Sequence, residues 1–105
     1  MNTKIHDHMP DLTVANTIKN QLGSRCLYML GAMHLMGGDG YLSFKIRGSK
    51  SVSHIKISLE WNDTYKMEFF KITPSKYKTI KTLTGIYCDQ MHEIIRSVTG
   101  LNTNL

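Results

Sequence analysis

Three consecutive segments in the middle of the chain alternate apolar and polar residues, and this pattern constrains the fold more than any other feature. The apolar members are Leu42, Phe44 and Ile46, then Ile55, Ile57 and Leu59, then Tyr65, Met67 and Phe69. A period of two is typical of β-strands, because successive side chains point to opposite faces of a sheet. The joins at 48–51 (GSKS) and 62–63 (ND) are short and rich in turn residues. We therefore expect an antiparallel meander with one buried face and one open face.

Helical patterns flank this meander on both sides. After Asp11, which we expect to act as an N-cap, apolar residues recur at helical spacing until Gly23 supplies a stop. Near the other end an apolar stripe runs up to Gly100. The first pattern consists of Val14, Ala15, Ile18 and Leu22, and the second of Tyr87, Met91, Ile94, Ile95 and Val98. We expect the terminal helix to dock on the apolar face of the meander.

Residues 25–36 fit either a helix or a strand. The methionines Met29, Met33 and Met36 have helical spacing. Gly31, however, would weaken a helix by about 1 kcal/mol, and a run rich in Cys, Leu and Tyr after a Gly-Ser break suits a buried strand. We predict a strand over Cys26–Leu30, followed by an irregular connection.

Turn signals complete the prediction of the fold. The glycine-rich stretch 37–40 (GGDG) predicts a turn. After Pro74, a further strand is predicted over Tyr77–Leu83, and Thr84-Gly85 is expected to end it. The predicted fold class is α+β: an antiparallel β-meander of four to five strands, with an N-terminal helix and a C-terminal helix packed on one face. We expect residues 1–10 to be a flexible leader and residues 11–105 to form a single α+β domain.

Size and composition limit the class of protein. At 105 residues the chain suits one small domain, and 41% hydrophobic residues are too many for a disordered tail. No apolar stretch approaches the roughly 20 residues that a bilayer requires, and the first residues lack the apolar core of a secretory signal. Two cysteines, Cys26 and Cys88, are too few for a disulfide scaffold. We therefore expect an intracellular protein.

The positive charge is concentrated in the middle of the chain. The net charge is +5, and nine cations but only three acids lie between Tyr41 and Lys81. The rest of the chain holds four cations and five acids. A localised positive field attracts polyanions, which means nucleic acid, an acidic protein face or anionic lipid. The plainer interpretation is a solvated face that keeps a small domain in solution.

The candidate binding residues are cations expected on the open face or in nearby turns, with one histidine and one aromatic residue. They are Lys45, Arg47, Lys50, His54, Lys56, Lys66, Phe70, Lys76 and Lys78. Phe70 has the phase of Lys66 and Glu68, so we expect it on the open face and exposed. Trp61 has the phase of the apolar set and is expected in the core. An exposed aromatic side chain among cations suits base stacking or a protein contact.

The sequence contains little that predicts catalysis. His92-Glu93 begins like the zinc-protease H-E-x-x-H motif, but Arg96 stands where the second histidine is required. His6 and His8 would chelate a metal only weakly in a loose leader, and Cys88 is expected to be a buried, inert thiol. The glycines at 37–40 lack the Lys-Ser/Thr pair of a phosphate-binding loop. We predict no enzymatic activity, no metal and no cofactor.

A set of short motifs, taken in order, resembles a known group. The motifs are Leu22-Gly23, Met29-Leu30-Gly31-Ala32, a Leu-x-Phe strand, Asp63-Thr64-Tyr65 with Glu68-Phe69, Tyr87-x-Asp89-Gln90 and Thr99-Gly100-Leu101. Across residues 15–105 this order resembles short phage- and prophage-encoded proteins of unknown function, whose members usually differ at Leu30 and near Ser24. The resemblance implies a phage protein acting in the cytoplasm of a bacterial host, and it brings no catalytic residues.

The leading functional hypothesis is a non-enzymatic phage accessory protein. It would bind a host nucleoprotein complex, or the nucleic acid of that complex, through the basic sheet face, for example by inhibiting a bacterial defence complex as anti-CRISPR proteins do. One alternative is a direct nucleic-acid-binding protein in phage replication or transcription. Another is a small oligomeric assembly subunit. The sequence leaves open the partner, the type of nucleic acid and the oligomeric state, including a homodimer.

Overall fold

The computed structural model describes residues 11–101 of the 105-residue chain. Within them the elements follow in the order α1 (Thr13–Leu22), α2 (Ser24–Met29), β1 (Met33–Gly38), β2 (Tyr41–Lys45), β3 (His54–Leu59), β4 (Tyr65–Thr73), β5 (Lys76–Ile86) and α3 (Met91–Thr99), with a 3-10 turn at Cys88–Gln90. The leader expected at residues 1–10, with His6 and His8, lies outside the described residues.

The strands form one antiparallel sheet in the order β1-β2-β3-β4-β5. This confirms the predicted α+β meander, with five strands and helices at both ends. The alternation of apolar residues explains the layering, since each strand presents one set of side chains to the helices. In the described part of the chain no helix is long and apolar enough to cross a membrane.

The core lies between one sheet face and the helices α1 and α3. Its fully buried members include Phe44 from β2, Ile55 and Ile57 from β3, Met67 and Phe69 from β4, Ile18 and Leu22 from α1, and Met91 and Ile95 from α3. Burying each large apolar side chain is worth about 1.5–3 kcal/mol. These contacts hold both helices on the same face and leave the other face of the sheet open.

Two polar contacts fix the position of α3. The imidazole Nε2–H of His92 donates to the carbonyl oxygen of Leu22, at 2.7 Å, which ties the start of α3 to the end of α1. At the other end the hydroxyl of Ser49 donates to the carbonyl oxygen of Thr99, at 3.0 Å. The loop between β2 and β3 therefore lies against the last turn of α3.

The strand predicted over Cys26–Leu30 is wrong, because these residues belong to the short helix α2 and its end. The backbone N–H of Leu30 donates to the carbonyl oxygen of Cys26, at 3.0 Å, as in a helical turn. Gly31, which counted against a helix, lies after the last helical residue with a φ of +63°. A positive φ costs glycine little, so Gly31 allows the chain to turn from α2 into β1.

The turn predicted at 37–40 is shorter than expected, because Gly37 and Gly38 belong to β1. Gly37 lies where α1 crosses the sheet. A Cβ atom on Gly37 would lie 2.8 Å from the Cβ of Ala15 and 3.1 Å from a methyl carbon of Leu12. The absence of a side chain at Gly37 therefore allows the close approach of α1 to the sheet.

We expect Gly37→Ala to lower the free energy of unfolding by about 1–3 kcal/mol, the usual cost of overpacking a tight contact. Urea denaturation measures the change. The matched background is Ala15→Gly, which removes the atom that the new methyl group would meet. In that background Gly37→Ala should cost much less, and equal costs in the two backgrounds would contradict this account of Gly37.

The strand β5 is longer than the predicted Tyr77–Leu83. The pairs Tyr65↔Ile86 and Met67↔Leu83 differ in register, so a β-bulge lies between them. Gly85 lies within this bulge with a φ of +69°, and the strand continues to Ile86. The glycine therefore bends the strand and does not end it.

The apolar stripe predicted for the last helix includes Tyr87, a residue that lies before α3 begins. Tyr87 precedes the 3-10 turn and is 62% exposed. Its backbone N–H donates to the side-chain oxygen of Gln90, at 2.9 Å, which closes the turn before α3 begins. The apolar spacing predicts the buried residues of α3, but it does not locate the first residue of the helix.

Candidate functional site

The open face of the sheet carries three of the predicted cations. Side chains directly opposite each other on neighbouring strands share a face, so the register assigns each residue to a side. The relevant pairs are Lys45↔His54 and His54↔Phe70, Ser43↔Lys56 and Lys56↔Glu68, and Ser58↔Lys66. Lys45, His54, Lys56 and Lys66 thus lie together on the face away from the helices, with Glu68 among them.

Arg47 and Lys50 do not lie on the strands of the open face, because β2 ends at Lys45. The backbone N–H of Arg47 donates to the carbonyl oxygen of Leu30, at 2.9 Å. The side chain of Arg47 lines a separate hollow of about 460 Å³ beside α2, with Tyr28 and Met33. Lys50 is exposed in the loop that lies against the end of α3. The expectation that Arg47 shares the open face is therefore wrong.

The strands β4 and β5 continue beyond β3 as a two-stranded arm, residues 71–78. The first residue of β3, His54, pairs with Phe70, and past this point β4 pairs only with β5. A hydrogen bond of 2.8 Å from the backbone N–H of Ile72 to the hydroxyl oxygen of Ser53 anchors the base of the arm. The arm is therefore a ribbon attached to the sheet at one end.

Lys76 and Lys78 lie on the opposite side from the open face. The pairs Lys71↔Lys78 and Thr73↔Lys76 have the phase of Phe69, which faces the core. Lys81 pairs directly with Phe69. We call this set the lysine face: Lys71, Lys76, Lys78 and Lys81. The predicted single basic face is thus divided, because the alternation of β4 places Lys66 and Lys71 on opposite sides.

The segment that carries the lysine face contains no acid. Four lysines and no aspartate or glutamate occur between Phe69 and Cys88. Lys76, Lys78 and Lys81 are exposed, and Lys71 is half-buried. Because these charges project from the end of the sheet, the lysine face is the most strongly cationic continuous surface of β4 and β5.

A hollow of about 260 Å³ occupies the open face at the base of the arm. Its apolar lining includes Phe70, Ile72 and Tyr77, and we call it the open-face hollow. The rings of Phe70 and Tyr77 lie 5.3 Å apart, centroid to centroid, at an angle of 42°. Phe70 is on the open face as predicted, but it is only 8% exposed because Tyr77 packs against it. The aromatic side chain available for contact is therefore Tyr77, at 66% exposure.

Polar groups line the other side of the open-face hollow. They come from three adjacent strands: Ser43 on β2, His54 and Lys56 on β3, and Glu68 on β4. The ammonium group of Lys56 lies 4.6 Å from the centre of the Tyr41 ring, a cation–π distance. The hollow thus combines an apolar aromatic wall with hydrogen-bond donors and one carboxylate.

The imidazole of His54 is neutral at neutral pH. Its Nδ1 lies 2.8 Å from the hydroxyl of Ser53, and that hydroxyl already accepts the N–H of Ile72. The same hydroxyl lies 3.4 Å from the carbonyl oxygen of Phe70, and a neutral imidazole can meet a hydroxyl either as donor or as acceptor. Burial, followed by the charges of Lys45 and His34, lowers the pKa of His54 below its ordinary value of 6.5. His54 consequently offers a hydrogen-bonding ring without a net charge.

This shift makes folding stability depend on pH. Because the folded pKa of His54 lies below 6.5, the unfolded chain takes up this proton first as the pH falls. We expect the free energy of unfolding to decrease from about pH 7 to about pH 5, and His54→Gln to flatten that decrease. Urea denaturation at several pH values measures it, and an NMR titration of the ring identifies the residue. Parallel pH profiles for the two proteins would contradict this expectation.

Trp61 is 93% exposed, so its expected place in the core is wrong. The alternation of β3 ends with the strand at Leu59, which is itself 37% exposed. The next residues form a turn, in which the N–H of Asp63 donates to the carbonyl oxygen of Glu60, at 3.1 Å. A period-two pattern holds only while the strand continues.

The two cysteines have opposite environments. Cys26 is buried in α2, and burial raises the pKa of its thiol to about 11. Cys88 is exposed, so the expectation of a buried thiol is wrong for this residue. It lies in the 3-10 turn before α3 and not on the packed side of a helix.

Between residues 11 and 101, no group of three or more His, Cys, Asp or Glu side chains is placed to hold a metal ion. His92, the first residue of the H-E-x-x-R stretch, uses its Nε2 to hold α1.

Sequence reasoning missed Ser53 and Glu68 as members of the site and preferred Phe70 to Tyr77. Tyr77 could have been found, since it alternates with Lys76 and Lys78 in a segment free of acids. Ser53 and Glu68 carry no local signal, because their roles depend on pairing with residues 12 or more positions away. Comparison with protein-family models, curated proteins and solved structures finds no match for this chain.

Proposed function

We propose that this protein is a non-enzymatic binding module that recognises the nucleic acid of a host nucleoprotein complex. The single observation that supports this best is the lysine face, whose four lysines occur in a segment without acids and three of which lie on the arm that extends past β3. Exposed lysines release the counterions that surround phosphates, and this release supplies most of the affinity of sequence-independent binding.

The open face supports the same proposal. Lys45, Lys56 and Lys66 place cations on the side opposite the lysine face, so a polyanion that passes around the arm meets positive charge on both sides. Tyr77 favours nucleic acid over an acidic protein surface, because an exposed ring beside cations can stack on bases.

The salt dependence of binding tests this proposal. We expect a labelled single-stranded oligonucleotide of roughly 12 nucleotides to bind, with log K falling against log salt by about 0.7 for each phosphate contacted. Contacts from the lysine face and part of the open face predict a slope of about −3 to −5. Fluorescence anisotropy measures it. Absence of binding at low salt, or affinity that salt does not change, would overturn the proposal.

The phage accessory role remains a prediction within this proposal. Inhibition of a bacterial defence complex in the host cytoplasm, as by anti-CRISPR proteins, is one concrete form of it. Affinity capture from a bacterial lysate, with and without nuclease, distinguishes binding to nucleic acid from binding to a host protein. Loss of all partners after nuclease treatment favours the alternative of a direct nucleic-acid-binding protein, and a partner that survives treatment favours a host protein surface.

A second candidate function is the oligomeric assembly subunit, which the edge strand β1 favours. This strand contains no Lys, Arg, Asp or Glu, and it exposes Leu35 at 39% and Met36 at 61%. The opposite edge, β5, carries lysines that oppose pairing with a second copy. Light scattering distinguishes a monomer of 12.0 kDa from a larger species.

A further inference from the structure

We propose that the open-face hollow holds one unpaired nucleobase that carries an exocyclic amino group, such as cytosine. This inference rests on the proposed function and names the part of the nucleic acid that is read. The ligand is single-stranded or locally unpaired, because a base inside a duplex cannot enter a hollow on a sheet face.

The dimensions of the hollow suit a single ring system. Its volume of about 260 Å³ is below the roughly 300–1,000 Å³ of pockets for drug-sized ligands. The ring of Tyr77 is exposed at one wall, and the edge of Ile72 continues that wall. Phe70 holds the ring of Tyr77 from beneath at 5.3 Å, so the wall is supported and does not need to be ordered when the base binds.

The polar side of the hollow selects for an amino group. The carboxylate of Glu68 is an acceptor only, and an amino group such as the N4 of cytosine is its natural donor. Uracil presents a carbonyl oxygen at that position, which a carboxylate repels. Lys56, directly opposite Glu68 in the sheet, turns its ammonium group towards Tyr41, so the two charges do not have to separate before a base can enter.

Donors beside Glu68 complement the rest of the base edge. His54 and Ser43 line the same hollow, and an imidazole N–H and a hydroxyl can both donate. Cytosine presents ring nitrogen and carbonyl acceptors next to its amino group, so it needs donors there. The contact of 2.8 Å between Ser53 and the Nδ1 of His54 holds the imidazole ring in place before a ligand arrives.

The phosphates on either side of the bound base have cations within the same surface. Lys45 pairs with His54, and Lys66 pairs with Ser58, so both lysines lie on the open face. The base hollow and the phosphate-binding lysines are therefore parts of one surface. The lysine face then contacts the nucleic-acid strand where that strand continues around the arm.

Binding of oligo(dC) and oligo(dU), each of roughly 12 nucleotides, tests this inference. The two bases differ in the exocyclic group that Glu68 would read and in the adjacent ring nitrogen N3, which accepts a hydrogen bond in cytosine and donates one in uracil. We expect the wild-type protein to prefer oligo(dC) by about tenfold, within the discrimination usual for one good base contact. Glu68→Gln, which keeps the shape of the side chain, should remove most of that preference. Fluorescence anisotropy at a fixed salt concentration measures each affinity.

Two tyrosine variants separate stacking from general surface effects. Tyr77→Ala should weaken both polymers by about 5- to 100-fold, because one stacked base is lost. Tyr28→Ala, which removes an 83% exposed ring from α2, should leave both affinities unchanged. Far-UV circular dichroism checks that Tyr77→Ala, Tyr28→Ala and Glu68→Gln are all folded.

The outcomes distinguish this inference from the proposed function. If neither polymer binds to the wild-type protein, the proposed function is overturned, and the base hollow with it. If both polymers bind equally and Glu68→Gln changes neither affinity, only the base hollow is overturned. A preference for oligo(dC) that Glu68→Gln removes and Tyr28→Ala retains supports both.

Discussion

Replacing Phe69 by alanine should lower the free energy of unfolding by about 3–5 kcal/mol, whereas Trp61→Ala should change it by less than about 0.5 kcal/mol. Both residues have the phase that the sequence assigns to the core. The structure separates them, because the exposure of Phe69 is 0% and that of Trp61 is 93%.

The size of the expected effect follows from the position of Phe69 in the sheet. The residue lies on β4, between Ile55 of β3 and Lys81 of β5, with the helices covering its side chain. Removing the ring leaves a cavity that packed neighbours fill only in part. Since small domains are stable by only about 5–15 kcal/mol, this variant should be close to unfolding at room temperature.

Urea denaturation followed by far-UV circular dichroism measures both variants. Tryptophan fluorescence is unsuitable, because Trp61 is the one tryptophan of the chain. Similar losses in the two variants would mean that the turn after β3 packs into the core, which would contradict the observed fold. An unchanged stability for Phe69→Ala would contradict the placement of the core.

Replacing the four lysines of the lysine face by glutamine should weaken nucleic-acid binding by about 10²–10³-fold at about 0.1 M salt. The estimate assumes one phosphate for each lysine, and it predicts that the salt slope becomes shallower by about 3. The fold should survive, because three of these side chains are exposed and the fourth is half-buried.

The matched control removes a comparable number of cations from the helices. Lys19 in α1, Arg25 in α2 and Arg96 in α3 are all exposed and lie outside the cation-rich segment between Tyr41 and Lys81. Replacing these three residues by glutamine should leave the slope nearly unchanged, because only cations in contact with phosphates release counterions. Equal slopes for the two sets of variants would show that net charge alone governs binding.

The helix α2 shows how a local pattern can mislead. The run from Cys26 to Leu30 is apolar enough for a buried strand, and Gly31 within the methionine pattern counted against a helix. The helix is in fact a single short element that ends before Gly31. Two long-range contacts from Arg47 fix this end: its backbone bonds to Leu30, and its side chain lies against Gly31. Neither contact is visible along the chain.

The basic surface shows the same limit at the level of the sheet. Alternation correctly predicts that Lys45, Lys56 and Lys66 share a face. It does not predict where β3 stops, and so it cannot show that β4 and β5 continue as an arm. The register shift next to Phe70 also depends on pairing with β5, which the sequence of β4 alone does not reveal.

The amino-acid sequence by itself determined the α+β meander, the buried side of its central strands and the excess of cations between Tyr41 and Lys81. These properties are local or additive, since periodicity and charge can be counted along the chain. The tertiary structure decided which lysines share a face, that Tyr77 covers Phe70, and that Ser43, His54 and Glu68 line one hollow. Those properties depend on register, strand ends and coverage, which arise only when distant segments pack together.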